Sequence, residues 1–272
     1  METYSNSVCE LKQEFVKVYK GNSHTTEILP NMPDELLQID SRQLSLLHKF
    51  LEANPIYSNH ISKKISDRDY TIFEGDLNNY WIDSIKHDTS YAPFYPTWML
   101  SAWCLALNAK TLGFEQIIDI GSGDGRIAYC GRVLELDSIS IEIDENLVNL
   151  QESLSKKTGI DFNPVCSDAT SYDFKKIPSK KSIFVIGGVP EIGEVLAESV
   201  IKNALESSHI SNSSFVLTGS HFHREFSRDK THFGWGTSIK KFELTVTSTI
   251  SLPTYWTMDQ EFDTPYVFTE KA

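Results

Sequence analysis

From residue 97 onward the chain alternates short apolar runs with stretches whose apolar residues recur at helical intervals. Ile117-Ile118-Asp119-Ile120, Ile139-Ser140-Ile141-Glu142, Ser182 to Ile186 and Ser214 to Thr218 are brief and apolar almost throughout, which suits strands buried on both faces. Asp161 to Cys166 reads as a further strand. Between these runs the pattern predicts helices over Thr97–Leu112, Arg126–Glu135, Glu145–Lys157 (with Leu147, Leu150 and Leu154 on one face) and Glu191–Ser207. Strands alternating with helices predict an α/β fold with a parallel sheet covered on both sides. The end of the chain differs. Lys241 to Thr249 alternates apolar and polar positions, and Tyr266-Val267-Phe268 follows with no helical stretch between. Two late strands without a crossover helix predict an antiparallel pair.

The first ninety residues are less regular. Glu10–Tyr19 reads as a short helix. A clearer one is expected over Asp34–Ala53, where Leu36, Leu37, Leu44, Leu46, Leu47 and Phe50 recur at helical spacing between Pro33 and Asn54-Pro55. Tyr70 to Phe73 reads as a short strand. The expected organisation is a mainly helical accessory region over 1–90 and a main domain over 91–272. The accessory region could cover a cofactor or shape a substrate site, and both remain open.

The chemistry gathers at Ile117-Ile118-Asp119-Ile120-Gly121-Ser122-Gly123-Asp124-Gly125-Arg126, a strand that runs into a glycine turn and then a helix. The glycines permit positive φ and close approach of a ligand. Glu142 ends the next strand, 21 residues after Gly121, where an acid can bond ribose hydroxyls. A pyrophosphate on this turn would face Asp119 and Asp124, and like charges in a partly dry cleft repel by several kcal/mol. A nucleoside cofactor that is cationic removes that conflict. S-adenosylmethionine, with its ammonium and sulfonium, fits.

With these residues in view, D-I-G-S-G-D-G-R resembles the first motif of the seven-strand, class I S-adenosylmethionine-dependent methyltransferases, over roughly residues 91–272. The resemblance implies a Rossmann-like seven-stranded sheet, parallel except for one antiparallel C-terminal strand. It implies that Asp119, Gly121, Gly123, Asp124 and Gly125 surround the methionine part of the cofactor, that Glu142 binds the ribose, that Ile143 packs on the adenine, and that Asp168, with Ala169 beside it, meets the adenine amine. Gly187 follows the fourth strand. The segment there, Ile186-Gly187-Gly188-Val189-Pro190-Glu191, lacks the Pro-Pro-aromatic of relatives that methylate planar amines. Tyr91-Ala92-Pro93-Phe94-Tyr95-Pro96-Thr97 resembles the loop of an archaeal and mitochondrial protein-lysine methyltransferase subgroup. By that resemblance Tyr91, Tyr95 and Thr97 border the methionine end. Arg126 either contacts ligand or anchors loops by ion pairs.

Composition narrows the partners. The net charge of −12 favours a basic or neutral substrate over a long nucleic acid. Lys175-Lys176 with Lys180-Lys181 is a local basic group that also reads as a solvated loop. The four cysteines show no C-x-x-C pairing, and free buried thiols in a reducing compartment are expected. No apolar run is long enough to span a bilayer, and the N-terminus lacks a secretory pattern, so a cytoplasmic location without membrane association is expected. Transfer to a lysine amine needs a neutral nitrogen in an apolar channel, for which aromatic walls are suited. The candidate walls are Tyr95, Trp98, Trp235, Tyr255 and Trp256. His221-Phe222-His223 is too sparse for a metal site, and none is expected. The expected function is protein-lysine methylation. A small metabolite or RNA as methyl acceptor, and a non-catalytic interaction protein on the same fold, are the alternatives.

Overall fold

The computed structural model describes residues 2–80, 94–220 and 231–272. The chain opens with helix α1 (Glu2–Val18), strand β1 (Thr25–Pro30), helix α2 (Ser41–Ala53) and the hairpin β2 (Tyr57–Ile65) and β3 (Arg68–Gly75). Then come α3 (Met99–Thr111), β4 (Gln116–Ile120), α4 (Arg126–Val133), β5 (Asp137–Glu142), α5 (Glu145–Thr158) and β6 (Pro164–Cys166). The chain continues with β7 (Ser182–Ile186), α6 (Pro190–Glu206), β8 (Ser214–Thr218), α7 (Gly236–Lys241), β9 (Leu244–Leu252) and β10 (Thr264–Lys271).

The main sheet has seven strands in the order β6-β5-β4-β7-β8-β10-β9. β4 to β8 run parallel, and β10 is antiparallel to both β8 and β9, so one C-terminal strand is reversed, as the late helix-free pattern predicts. Adjacent isoleucines of β4 serve opposite faces. Ile117 joins one apolar cluster with Trp103, Tyr129 and Phe50, while Ile118 joins another with Phe184, Ile201 and Trp235. Helix α3 has no polar side: every residue from Met99 to Ala109 is buried.

The N-terminal region carries the expected helices and also a three-stranded antiparallel sheet, β1-β3-β2. Only β3 was legible. β2 exposes most of its positions and so has no apolar alternation, and β1 carries a buried Glu27. The helix expected from Asp34 begins instead at Ser41. Asp34 and Ile39 pair as an isolated antiparallel bridge, and Asp40 caps α2 reciprocally with Gln43. This region shares the first apolar cluster with the main sheet: Phe15, Ile28, Phe50 and Ile72 lie in it alongside Trp103 and Ile117. Lys12, 3 % exposed, donates to Asp263 at 2.8 Å and ties α1 to the segment before β10.

Cys104 and Cys130 are buried as free thiols, and burial pushes Cys104 up to about 12. Cys166, by contrast, ends the edge strand β6 and is exposed. Among the described residues no helix is long and apolar enough to cross a membrane, and no cluster of His, Cys, Asp or Glu could hold a metal ion. His221 and His223 lie outside the described residues.

Candidate functional site

The parallel strands bring their carboxyl ends to one edge of the sheet. There β4 delivers Gly121-Ser122-Gly123, β5 delivers Glu142 and Ile143, β6 precedes Asp168 and Ala169, and β7 delivers Gly187 and Gly188. The Gly121 amide donates to Ile141 O at 3.0 Å and the Gly187 amide to Ile120 O at 2.8 Å, which fixes the three loops against each other. Gly121, Gly123 and Gly125 all have positive φ, as the turn requires. At Gly123 a Cβ would stand 2.3 Å from the Phe94 ring, and at Gly125 one would stand 2.4 Å from the Phe162 ring. Gly123 and Gly125 are therefore packing necessities. Gly121 itself is exposed, and a Cβ there would meet Leu196 only at ordinary contact distance, 3.9 Å.

Glu142 is 4 % exposed. Its Oε2 accepts from the Gly123 amide at 2.8 Å, and its Oε1 accepts from the amides of Ile143 at 2.8 Å and Asp144 at 3.0 Å. Asp119, 2 % exposed, receives the Ala128 amide at 3.2 Å. Burial raises its pKa well above the ordinary carboxylate range, and the charges of Asp124 and Glu142 add to the rise, against the hydrogen bond from Ala128. Asp168 is exposed and bonds the Thr170 amide at 2.8 Å and its hydroxyl at 2.7 Å through Oδ1. Ile143 is half-buried and Ala169 buried beside it along the same edge.

Three of the candidate residues are engaged within the protein. Asp124 does not face the open edge. Its Oδ1 takes Arg126 Nε at 2.9 Å, while its Oδ2 takes Arg126 Nη2 at 2.6 Å and Asn54 Nδ2 at 3.0 Å. Thr97 is likewise engaged. Its carbonyl accepts from Arg126 Nη1 at 2.6 Å, and its hydroxyl lies 3.2 Å from the Tyr266 hydroxyl. Trp235 is fully buried with Nε1 on Thr218 O at 2.9 Å, so it is core and not a substrate wall.

Arg126 is the hub of this arrangement. It is 2 % exposed and also pairs with Glu27, and its Nη2 reaches the Tyr57 hydroxyl at 3.1 Å. Burial opposes its charge, but Asp124, Tyr57 and Glu27 outweigh that and hold it protonated. Of the two roles open from sequence, the ion-pair anchor is the one the contacts describe: Arg126 staples the glycine turn to β1, β2 and the end of α2. Tyr91 lies outside the described residues. Tyr95 is exposed and stacks on Tyr255 with centroids 5.6 Å apart, and Trp256 meets it edge-on at 5.9 Å. Trp98 is 2 % exposed with Nε1 on Thr26 O at 2.9 Å, which leaves only a ring face to contact anything.

Two functional supports went unread. Gln151 is wholly buried on α5, takes Ser140 Oγ at 2.7 Å, and donates to Gly123 O at 2.7 Å and Ser122 Oγ at 3.0 Å. Its signal was an amide four residues after Leu147, on the apolar face. The other is Glu191, at the start of α6, whose carboxylate receives the Ser220 hydroxyl beyond the end of β8. In the basic group Lys180 pairs with Asp137, and Lys181 lies over the Phe114 ring and donates to Leu112 O at 2.9 Å, while Lys175 and Lys176 are exposed.

No protein-family model and no curated protein matches this chain. Solved structures do resemble it in fold. The glycopeptide N-methyltransferase MtfA is 11 % identical, with a TM-score of 0.47 over 62 % of this chain and 95 % of its own, and it is also known with S-adenosylmethionine bound. The ribosomal protein L11 methylase of Lactobacillus delbrueckii subsp. bulgaricus is 11 % identical, with a TM-score of 0.43 over 64 % of this chain and 79 % of its own. The Pyrococcus abyssi tRNA (uracil-54, C5)-methyltransferase, in complex with S-adenosyl-L-homocysteine, is 13 % identical, with a TM-score of 0.45 over 78 % of this chain and 43 % of its own. Their substrates differ, so the functional reading is drawn from the site.

Proposed function

We propose that this chain is an S-adenosylmethionine-dependent methyltransferase whose acceptor is an amine, most simply the side chain of a protein lysine. One observation carries the cofactor reading. In a phosphate-binding turn the free amides at the helix start hold the anion. Here the Gly123 amide is already taken by Glu142 at 2.8 Å. The one cation of the turn, Arg126, points into the protein and is matched by Glu27 and Asp124. Buried carboxylates beside a turn whose own cation is already matched repel a diphosphate and favour a cation.

The residues fit the group. Gly121 leaves backbone exposed at the sheet edge with Gly187 half-buried beside it, Asp119 would face the ammonium, and Glu142, at the end of β5, would meet the ribose hydroxyls. Ile143 and Ala169 supply apolar surface for an adenine and Asp168 an acceptor for its amine. Gly123 and Gly125 shape the turn from behind, and Thr97 holds its entrance through Arg126. When bound, S-adenosylmethionine supplies a methyl group on a sulfonium that leaves as a neutral thioether.

The acceptor must come to the same edge with an unprotonated nitrogen. Apolar surroundings lower an amine's pKa by desolvation and make a strong base unnecessary. Tyr95, Tyr255 and Trp256 form an aromatic shelf that would exclude water from an approaching alkyl chain. Glu191, held by Ser220 near the ends of β7 and β8, could orient the incoming cation. The charge of −12 favours a basic acceptor.

The test is transfer from methyl-labelled S-adenosylmethionine into a cell extract. Label lost on protease treatment and recovered as methyllysine is the expected result. Label lost to nuclease alone, or found only in small molecules, would replace the lysine reading, and no label at all would remove the enzyme.

A further inference from the structure

A cavity of about 220 Å³ opens between α1, β1 and the segment that leads into β10. Tyr19, His24 and Tyr255 bring rings to its surface, backed by Phe15 and Trp98, which are 1 % and 2 % exposed. Phe15 and Tyr19 stack with centroids 4.9 Å apart, Trp98 lies 6.2 Å from Phe15, and Tyr255 stands edge-on to His24 at 5.5 Å. Glu27 forms part of the floor, with its charge met by Arg126 behind it. Asp259 lines the cavity and is exposed, and Asp76 lies beside it through His24, whose Nδ1 is 3.1 Å from Asp76 Oδ1. Among the described residues no lysine or arginine lines the cavity and none of those proposed for the cofactor does, while Tyr255 also belongs to the aromatic shelf proposed for the acceptor.

We propose that this cavity binds a methylated ammonium group on an alkyl chain, the side-chain end of a trimethylated lysine in a peptide. Aromatic faces attract a cation through the ring quadrupole, and the attraction is largest when the cation sheds its water readily. A primary ammonium keeps three donors that need acceptors, and among the described residues that line this cavity Asp259 is the one carboxylate outside an ion pair. Methyl groups on the nitrogen remove those donors and give the apolar walls something to pack against. The acid at the opening then supplies the countercharge. This assigns the N-terminal region a recognition role, since α1, β1 and the segment between them form most of the walls.

The test uses the full chain without cofactor and follows tryptophan fluorescence and calorimetry. The probes are N-acetyl-trimethyllysine amide, its unmethylated counterpart, choline, and 3,3-dimethylbutan-1-ol as the neutral isostere. The expected result is saturable binding of trimethyllysine, about tenfold tighter than unmethylated lysine and than the alcohol. Tyr255→Ala should weaken it by a factor of about five to ten, and so should Asp259→Asn at the exposed position. Equal binding of the alcohol, no binding of trimethyllysine, or affinity unchanged in a natively folded Asp259→Asn protein would overturn the proposal. Choline binding tenfold tighter than trimethyllysine would overturn the peptide assignment. None of these outcomes depends on the methyl donor, whose binding is measured separately.

Discussion

The Gly123 amide donates to Glu142 Oε2 at 2.8 Å, so the protein's own carboxylate fills the anion seat of the glycine turn. Glu142→Gln should therefore act in two ways. It removes the charge that favours a cationic nucleoside, and it replaces one acceptor oxygen with a donor that cannot take a backbone amide. We expect a loss of about 2 kcal/mol in S-adenosylmethionine binding, roughly thirtyfold in Kd. Calorimetry on the purified variant checks it, and an unchanged Kd would mean that the ribose is held elsewhere.

Arg126 is matched by Glu27 and Asp124 in a space closed to water. Removing one partner of a buried pair leaves the other charge uncompensated, at about 3–5 kcal/mol. Glu27→Gln should lower the urea midpoint by a corresponding amount, although Glu27 lies nearly a hundred residues before the turn. Replacing Arg126 and both acids together with apolar residues should recover much of the loss. Equal stability of wild type and Glu27→Gln would contradict the staple.

Gly125 and Gly159 share a left-handed backbone, with φ of 77° and 75°. Only Gly125 is crowded: its Cβ position meets Phe162, whereas nothing lies within 4 Å at Gly159. Gly159→Ala should cost the backbone strain alone, about 1–2 kcal/mol. Gly125→Ala should cost distinctly more and weaken cofactor binding as well. Parallel denaturation curves decide the order.

Burial raises the pKa of Asp119 in the folded chain, so its ionisation opposes folding. That penalty is absent below the unfolded value of about 3.9 and grows as pH rises toward the folded value. Asp119→Asn should therefore stabilise the cofactor-free protein at neutral pH, and the gain should vanish as pH falls to about 4. The same substitution should weaken S-adenosylmethionine binding, and wild-type affinity should itself decline as acid protonates Asp119. Thermal melts across pH, with and without the donor, test both signs.

Much of the main sheet was legible because its strands are buried on both faces. β4, β7 and β8 fall where their apolar runs place them. The N-terminal sheet was not, because β2 is solvent-facing along most of its length. Local sequence also gave no direction for Asp124. Its spacing in the motif suits a ligand, and only the arrival of Asn54, Tyr57 and Glu27 from earlier elements shows where the acid and Arg126 turn. Trp235 illustrates the same limit: an aromatic near the C-terminus reads as a wall or as core, and its indole bond to Thr218 settles it as core.

The central claim is that this turn seats a cationic nucleoside and rejects a diphosphate. Calorimetric titration of the intact chain with S-adenosylmethionine and, separately, with NAD tests it directly. Saturable binding of S-adenosylmethionine, with no heat from NAD at the same concentrations, is the predicted result; NAD binding with S-adenosylmethionine excluded would contradict it.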